Sequence, residues 1–377
     1  MTAKEGVKEA EIGLIPEDWG LKIENVKDTI EIEIYADEIV LPKDFNNKTK
    51  NFICIGCLFV PLSEKKKLVH NLSNSRCLYE KNEEWTWDYK KCLFSRDGDS
   101  QCKKQWHDQN TCEIHHADLR SSRSNKSQKD ISKKWLDLLI RHNKRDKREI
   151  YFNILYIELD KLQIENFGQE KVHENIYNRF FRTTIDYGMK YFFSGNKKIV
   201  VKKVIHDKGS MEFHKYFPYL NLIKLDFQLG ENMAIENTDV IFVDSDHRNY
   251  LEDDYELVNE SQLIQFIDLI IGSTTQNIFY LSNDSLKKEV AMIIRPLVKR
   301  LLENPYNKHS SYNYFKKQKI TFFPKNKIED AKRISSDLYS NLFEEFGKDN
   351  FYTKKTLDMP AYDPNQTELS SWCSNEN

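Results

Sequence analysis

The chain has 377 residues, and its 57 basic and 59 acidic side chains nearly cancel, so no global field recruits nucleic acid or a membrane and any polyanion contact must come from a local patch. Its 22 Phe, 19 Tyr and 6 Trp supply a sizeable core, in one large domain with insertions or in two smaller ones. No uninterrupted apolar run approaches the roughly 20 residues of a membrane span, and the opening MTAKEG lacks the apolar centre of a signal peptide; the chain reads as cytoplasmic, with no membrane partner and its cysteines reduced.

Residues 1–28 read as a charged, extended arm. From 29 to 37 the sequence TIEIEIYAD alternates, so Ile30, Ile32, Ile34 and Ala36 line one face of a strand and Glu31, Glu33, Tyr35 and Asp37 the other. Residues 52–60 are apolar on both faces, which predicts a central strand; Cys54 and Cys57, an odd number apart, fall on opposite faces as core residues. Residues 63–72 predict a short helix with Ser63 as its N-cap. Residues 74–112 break the pattern, being polar, tryptophan-bearing and home to four of the seven cysteines, and read as an insertion. A basic stretch at 126–147 surrounds an amphipathic helix at 135–140. Strands are then expected at 150–159, 198–206, 220–227, 239–244 and 319–324, and helices at 170–190, around Asp268, at 284–303 and at 328–346. Strands in succession that then alternate with helices predict an α/β fold with a mixed sheet flanked by helices, a cysteine-rich insertion and a helical C-terminal extension before a loosely ordered tail at 347–377.

Residues 262–272 read QLIQFIDLIIG, and between 263 and 271 only Gln265 and Asp268 are polar; three apart, they share one helix face. A helix that is apolar almost all round is buried. Even a neutral polar group left unpaired there costs on the order of 2–7 kcal/mol, so a cation, a donor or a metal ion is expected to face Asp268. Three more carboxylates stand where strands end: Asp37, with Glu38 directly after it, Asp207 and Asp244. Ligand-binding groups of α/β sheets gather at such positions. Acids converging there repel one another unless hard divalent cations, Mg2+ or Mn2+, neutralise them. Two such ions roughly 3.5–4 Å apart serve in-line attack of water on a phosphodiester. Taken singly, a strand-end acid reads first as a solvated loop residue; Asp268 does not, because its helix offers little water.

The segments YADE at 35–38, EIHHA at 113–117, VDS at 243–245, QFIDLIIG at 265–272 and TFFPK at 321–325 resemble, in the same order, the YIDESG, EIHA, DS…LQLADLIAG and FFPK motifs of the bacterial family called domain of unknown function 3800. The resemblance spans about residues 29–327 and implies a ribonuclease H-like domain over 29–346, with the 74–112 insertion and a basic segment at 120–148 inside it. It also implies a metal-dependent nuclease centre and a setting in bacterial antiphage defence. Asp37 falls on the family's first-strand acid, Asp268 on its last-helix acid and Asp207 on its middle-strand position. The chain departs from the family in having DEIV where DESG is usual, and in the insertion that precedes EIHH.

An extended Glu-Ile-His puts Glu113 and His115 on one face and His116 on the other. His115 would then hold the scissile phosphate or relay a proton, or the histidines would merely bond locally at the surface. His206 reads as a packing residue behind Asp207. Cys102-x4-His107-x4-Cys112, with Cys92 as a fourth ligand, would make a tetrahedral zinc site; without a Cys-x-x-Cys pair the alternative is unpaired thiols. Arg120, Arg123, Lys126, Lys133 and Lys134 belong to the basic segment, which would grip nucleic-acid phosphates without reading bases, or form a solvated helix face. Tyr312, Tyr314 and Phe315, among lysines, are a weaker stacking candidate.

The expectation is therefore a cytoplasmic nuclease acting on RNA or DNA with Mg2+ or Mn2+. Asp37, Asp207, Asp268, Glu113 and His115 would be catalytic, and Asp37, Glu38, Asp207, Asp244 and Asp268 would hold metal. A catalytically silent nucleic-acid-binding or scaffold protein of the same fold is the alternative, with hydrolysis of a small nucleotide as a third. A gating protein partner is left open.

Overall fold

The structure is a computed structural model that describes residues 29–87, 113–145, 150–303 and 317–323, apart from short breaks at 42–43, 46–47, 50–51, 123, 125, 194–196 and 252–253. The arm at 1–28, Cys92, Cys102, His107, Cys112, Arg123, the aromatics at 312–315, the helix expected at 328–346 and the tail at 347–377 lie outside the described residues.

In chain order the elements are β1 (Thr29–Leu41), a small hairpin of β2 (Asp44–Phe45) and β3 (Lys48–Thr49), β4 (Phe52–Pro61), α1 (Leu62–Ser75) and a second hairpin of β5 (Leu78–Lys81) and β6 (Glu84–Trp87). After the undescribed stretch come α2 (Lys126–Arg145), β7 (Tyr151–Glu158), α3 (Val172–Phe193), β8 (Lys198–Asp207), α4 (Phe217–Asp226), β9 (Met233–Ile235) and β10 (Val240–Val243). The long helix α5 (Tyr255–Phe279) follows, then α6 (Ser285–Met292), α7 (Arg295–Glu303) and β11 (Gln318–Phe323). The main sheet runs β10-β8-β1-β4-β7-β11, with β9 added to β8. β4 lies between β1 and β7 and is antiparallel to both, whereas β8 joins β1, β10 joins β8 and β11 joins β7 in parallel. The fold is α/β with a mixed sheet flanked by helices.

The period-2 pattern of β1 decides which helix each side chain meets. Ile32, Ile34 and Ala36 enter a core with Phe180, Phe181 and Ile185 of α3 and Leu222 and Leu225 of α4. Tyr35 enters the opposite core, built with α5 and with Trp135 of α2. Cys54 and Cys57 divide between the same two cores. β4 is buried along its whole length, as an apolar strand between two neighbours requires.

α5 is the helix that carries Asp268. Asp254 caps its start, accepting hydrogen bonds from the N–H groups of Glu256 (2.9 Å) and Leu257 (3.0 Å), and every residue from Val258 to Phe279 is buried. It lies so close to β4 that a Cβ on Gly56 would stand 2.3 Å from the Ile271 side chain; only glycine fits there.

Several elements differ from expectation. Residues 220–227 form no strand: Phe217–Asp226 is helix α4, opened by Pro218 in its first turn. Its buried Phe217, Asn221, Leu222 and Leu225 follow a helical spacing, while Leu220 and Phe227 are exposed. The helix expected at 284–303 is two, because Pro296 cannot continue α6 and instead sits in the first turn of α7. α1 begins before Ser63, with Pro61 at the N-cap position and no side-chain cap. The first part of the expected insertion is docked on the domain: Trp85 stacks on Tyr255 of α5 at 5.6 Å, and its Nε1 donates to Asn259 Oδ1 at 2.9 Å.

Candidate metal centre

β1 and β8 are parallel neighbours whose last pair is Ala36 with His206, so the next residue of each, Asp37 and Asp207, comes just beyond that ladder. Asp207 ends β8, but Asp37 does not close its strand as expected, because β1 runs on beside β4 to Leu41. Alternation turns both toward the face covered by α5, where Tyr35 and Ile205 are buried. Asp268 descends from α5 onto that face. Asp37 and Asp268 are 8 % and 5 % exposed. Each aspartate has one oxygen fixed by a backbone N–H: Asp37 Oδ1 by Glu38 (2.8 Å), Asp207 Oδ1 by Ser245 (3.1 Å) and Asp268 Oδ2 by His116 (2.6 Å). The second oxygens of Asp37 and Asp207 accept no hydrogen bond among the described residues, and that of Asp268 lies 3.8 Å from His115 Nε2.

The acids feel one another. Burial, then the charges of Asp268, Glu38 and Asp207, hold the Asp37 carboxyl well above the usual carboxylate range. Asp207 is pushed up to about 6, first by burial and then by Asp268 and Glu113, against the pull of His206 and Ser245. Asp268 is raised chiefly by burial, with Glu113 adding and His115, the His116 N–H and Lys287 opposing. Glu113 is thus the fourth acid of the group. Its Oε1 accepts from Ser245 Oγ at 2.7 Å.

Glu113 and His115 come from the long excursion between β4 and β7, and α5 holds that excursion in place. Gln265 Oε1 accepts the N–H of Ile114 (2.8 Å), and one turn on Asp268 accepts that of His116. The same Gln265 side chain donates to the carbonyl of Ser245 and takes a hydrogen bond from buried Arg76, so one amide positions both loops that flank the acids. The His116 ring packs over Gly272, where a Cβ would stand 2.1 Å from it. Burial, with Lys287 and His115 adding, lowers the His116 pKa to about 3 and keeps the ring neutral. His115 differs: burial works against its charged form, but Asp268, Glu113 and Asp118 outweigh burial and raise its pKa. Its side chain is 41 % exposed, at the mouth of the acidic group.

Two expected ligands point elsewhere. Glu38, one residue beyond Asp37, turns to the α3 face, where its Oε2 lies 3.2 Å from His206 Nε2, a nitrogen also bonded to Tyr177 OH at 2.6 Å. There burial disfavours the His206 cation, but Glu38 more than compensates and raises the pKa. Asp244 is spent on its own turn, accepting from the Asp246 N–H (2.9 Å) and Asn249 Nδ2 (2.9 Å); Ser245 faces the acids instead. Of the basic segment, Lys133 is ion-paired with Glu289 of α6, as is Lys129, Lys134 is half-buried, Lys126 opens α2, and Arg120 is exposed. Sequence reading missed Gln265 as a positioning residue, Ser245 and Lys287. The i, i+3 pairing of Gln265 with Asp268 on a buried helix was the signal for the first and the VDS segment at 243–245 for the second; nothing local marked Lys287.

Among the described residues, no three His, Cys, Asp or Glu side chains are drawn together into a finished metal-ligand set; the acids share a site without closing on a point. No protein-family profile, curated protein or solved structure matches the chain.

Proposed function

We propose that this chain is a divalent-metal-dependent nuclease with a ribonuclease H-like fold, hydrolysing phosphodiester bonds of RNA or DNA. The observation that carries the reading is the convergence of Asp37, Asp207 and Asp268 from β1, β8 and α5, each with one oxygen anchored by a backbone N–H. The sheet supports it: three successively antiparallel strands (β1, β4, β7), with two further strands (β8, β10) added in parallel on the other side of the first, are compatible with a ribonuclease H-like fold, as is an acid on β1.

The donor set fits Mg2+ or Mn2+, which favour carboxylate oxygen. Buried acids that raise one another's pKa are held in a state that a cation relieves. Asp37, Asp207 and Asp268 would hold the metal, with Glu113 beside them. A divalent ion in such a site supplies an activated water and a counter-charge for the leaving oxygen. The chain's own contribution is positional: backbone N–H groups fix the orientation of each carboxylate, Gln265 sets the 113–116 segment against α5, and His115 stands at the mouth with a raised pKa, able to carry a proton near the reacting phosphate.

The test uses the full chain with end-labelled RNA and DNA, single- and double-stranded, in Mn2+, in Mg2+ and in EDTA. Cleavage is expected only with metal. Asp37→Asn, Asp207→Asn and Asp268→Asn should each lower it by more than the roughly 10–100-fold that loss of an outer partner of a metal ligand costs. No cleavage of any of these substrates with either metal would favour a catalytically silent nucleic-acid-binding or scaffold protein.

A further inference from the structure

Beside the acids stands an arc of positive charge that they do not consume. Lys287, on the first turns of α6, is half-buried and donates from Nζ to the carbonyl of Ala117 at 2.8 Å, in the turn that directly follows His115. Arg120, three residues on, is exposed, and its guanidinium makes no ion pair or hydrogen bond among the described residues. The nearby carboxylates are otherwise engaged. Asp284 caps α6 and binds Ser121 through both its N–H and Oγ, and Asp118 turns to His115 Nδ1 at 3.4 Å. Lys287 and Arg120 therefore repel each other, and together with burial this repulsion lowers the Lys287 pKa.

Two cations brought together at the surface, one of them partly desolvated, are stabilised by an anion between them. They mirror the acids, which are stabilised by a cation. Asp268 is the hinge between the two groups, within electrostatic reach of both Lys287 and Glu113. Acids on one side and cations on the other is the charge pattern of a metal-bound phosphodiester whose neighbouring phosphate needs its own partner.

Building on the nuclease reading, we propose that Lys287 and Arg120, carried by the 116–121 turn and α6, form a clamp for a backbone phosphate of the bound nucleic-acid strand, adjacent to the phosphate that the acids engage. The rest of the basic helix contributes less, because Lys129 and Lys133 share one ion-pair partner, Glu289, which offsets part of their charge.

Binding of a fluorescein-labelled single-stranded 20-mer to the full chain, followed by anisotropy in Ca2+ over a range of KCl, separates this clamp from the activity. Arg120→Ala and Lys287→Ala should each weaken binding several-fold and reduce the slope of log K against log[salt] by about 0.7, with Lys287→Arg restoring it and Lys133→Ala reducing the slope less than either. Because Lys287 also tethers Ala117, the Arg120 variant is the arm free of that role. Wild-type cleavage with Mn2+, combined with unchanged slopes in both variants, would overturn the clamp and leave the nuclease reading standing. Wild type that neither binds nor cleaves any strand would overturn both.

Discussion

Asp207 shows at the scale of one residue what the acidic group costs the protein. Its carboxyl is brought from an ordinary 3.8 to about 6, so between those values the folded chain holds a proton that the unfolded chain has released. Stability from this site is full below about pH 4 and falls as pH rises through about 6. Asp207→Asn keeps the oxygen that accepts the Ser245 N–H but cannot ionise. In EDTA it should be more stable than wild type at about pH 7.5, by at most about 3 kcal/mol before screening at its partly exposed edge is allowed for, and no more stable at pH 4. Urea unfolding at the two pH values measures this, and a variant less stable at pH 7.5 would contradict it. At this scale the sequence was partly legible. Asp268 announced itself because a charge in an apolar helix has no ordinary explanation. Asp244 misled, because an acid at a strand end looks the same whether it faces a ligand or caps its own turn, and only the fold shows that Ser245, one residue on, has the inward position.

At the scale of elements, α5 is the frame on which the site is assembled, and its fit depends on removing side chains at contact points. Gly272 leaves room for the His116 ring, whose own backbone N–H fixes Asp268. Gly272→Ala should force that ring out, costing about 1–3 kcal/mol as overpacking does, and should lower metal-dependent cleavage by loosening Asp268. His116→Ala in the same chain should recover most of the lost stability, a coupling that thermal unfolding of the single and double variants reads directly. Simple additivity would show that the two residues do not meet. Apolar patterning predicted β1 from its alternation, and β4 and α5 from runs apolar on nearly every side, which the fold buries throughout. It failed at 220–227, an apolar-rich run that belongs to helix α4, and at 284–303, where one proline outweighs an otherwise continuous helical pattern.

At the scale of the molecule, the site exists because segments far apart in sequence meet at one end of the sheet: β1, the excursion at 113–121, the end of β8, the 245–247 loop, α5 and α6. Most of the order of strands and helices was legible in the sequence, since it follows from patterns within each segment, with 220–227 and the break before Pro296 as the exceptions. The docking of 113–121 onto α5 and α6 was not, since its hydrogen bonds to Gln265, Asp268 and Asp284 span some 150 residues or more and leave no local periodic trace. The same long-range closure that draws the acids together also sets Lys287 beside Arg120, so the negative and positive halves of the site form together. Binding of divalent metal by Asp37, Asp207 and Asp268 is read by anomalous diffraction from crystals of the full chain soaked in Mn2+. A peak is expected within about 2.0–2.3 Å of carboxylate oxygens from all three aspartates; saturating Mn2+ that leaves this position empty, or that binds only at Asp244 or Glu38, would rule out the metal centre.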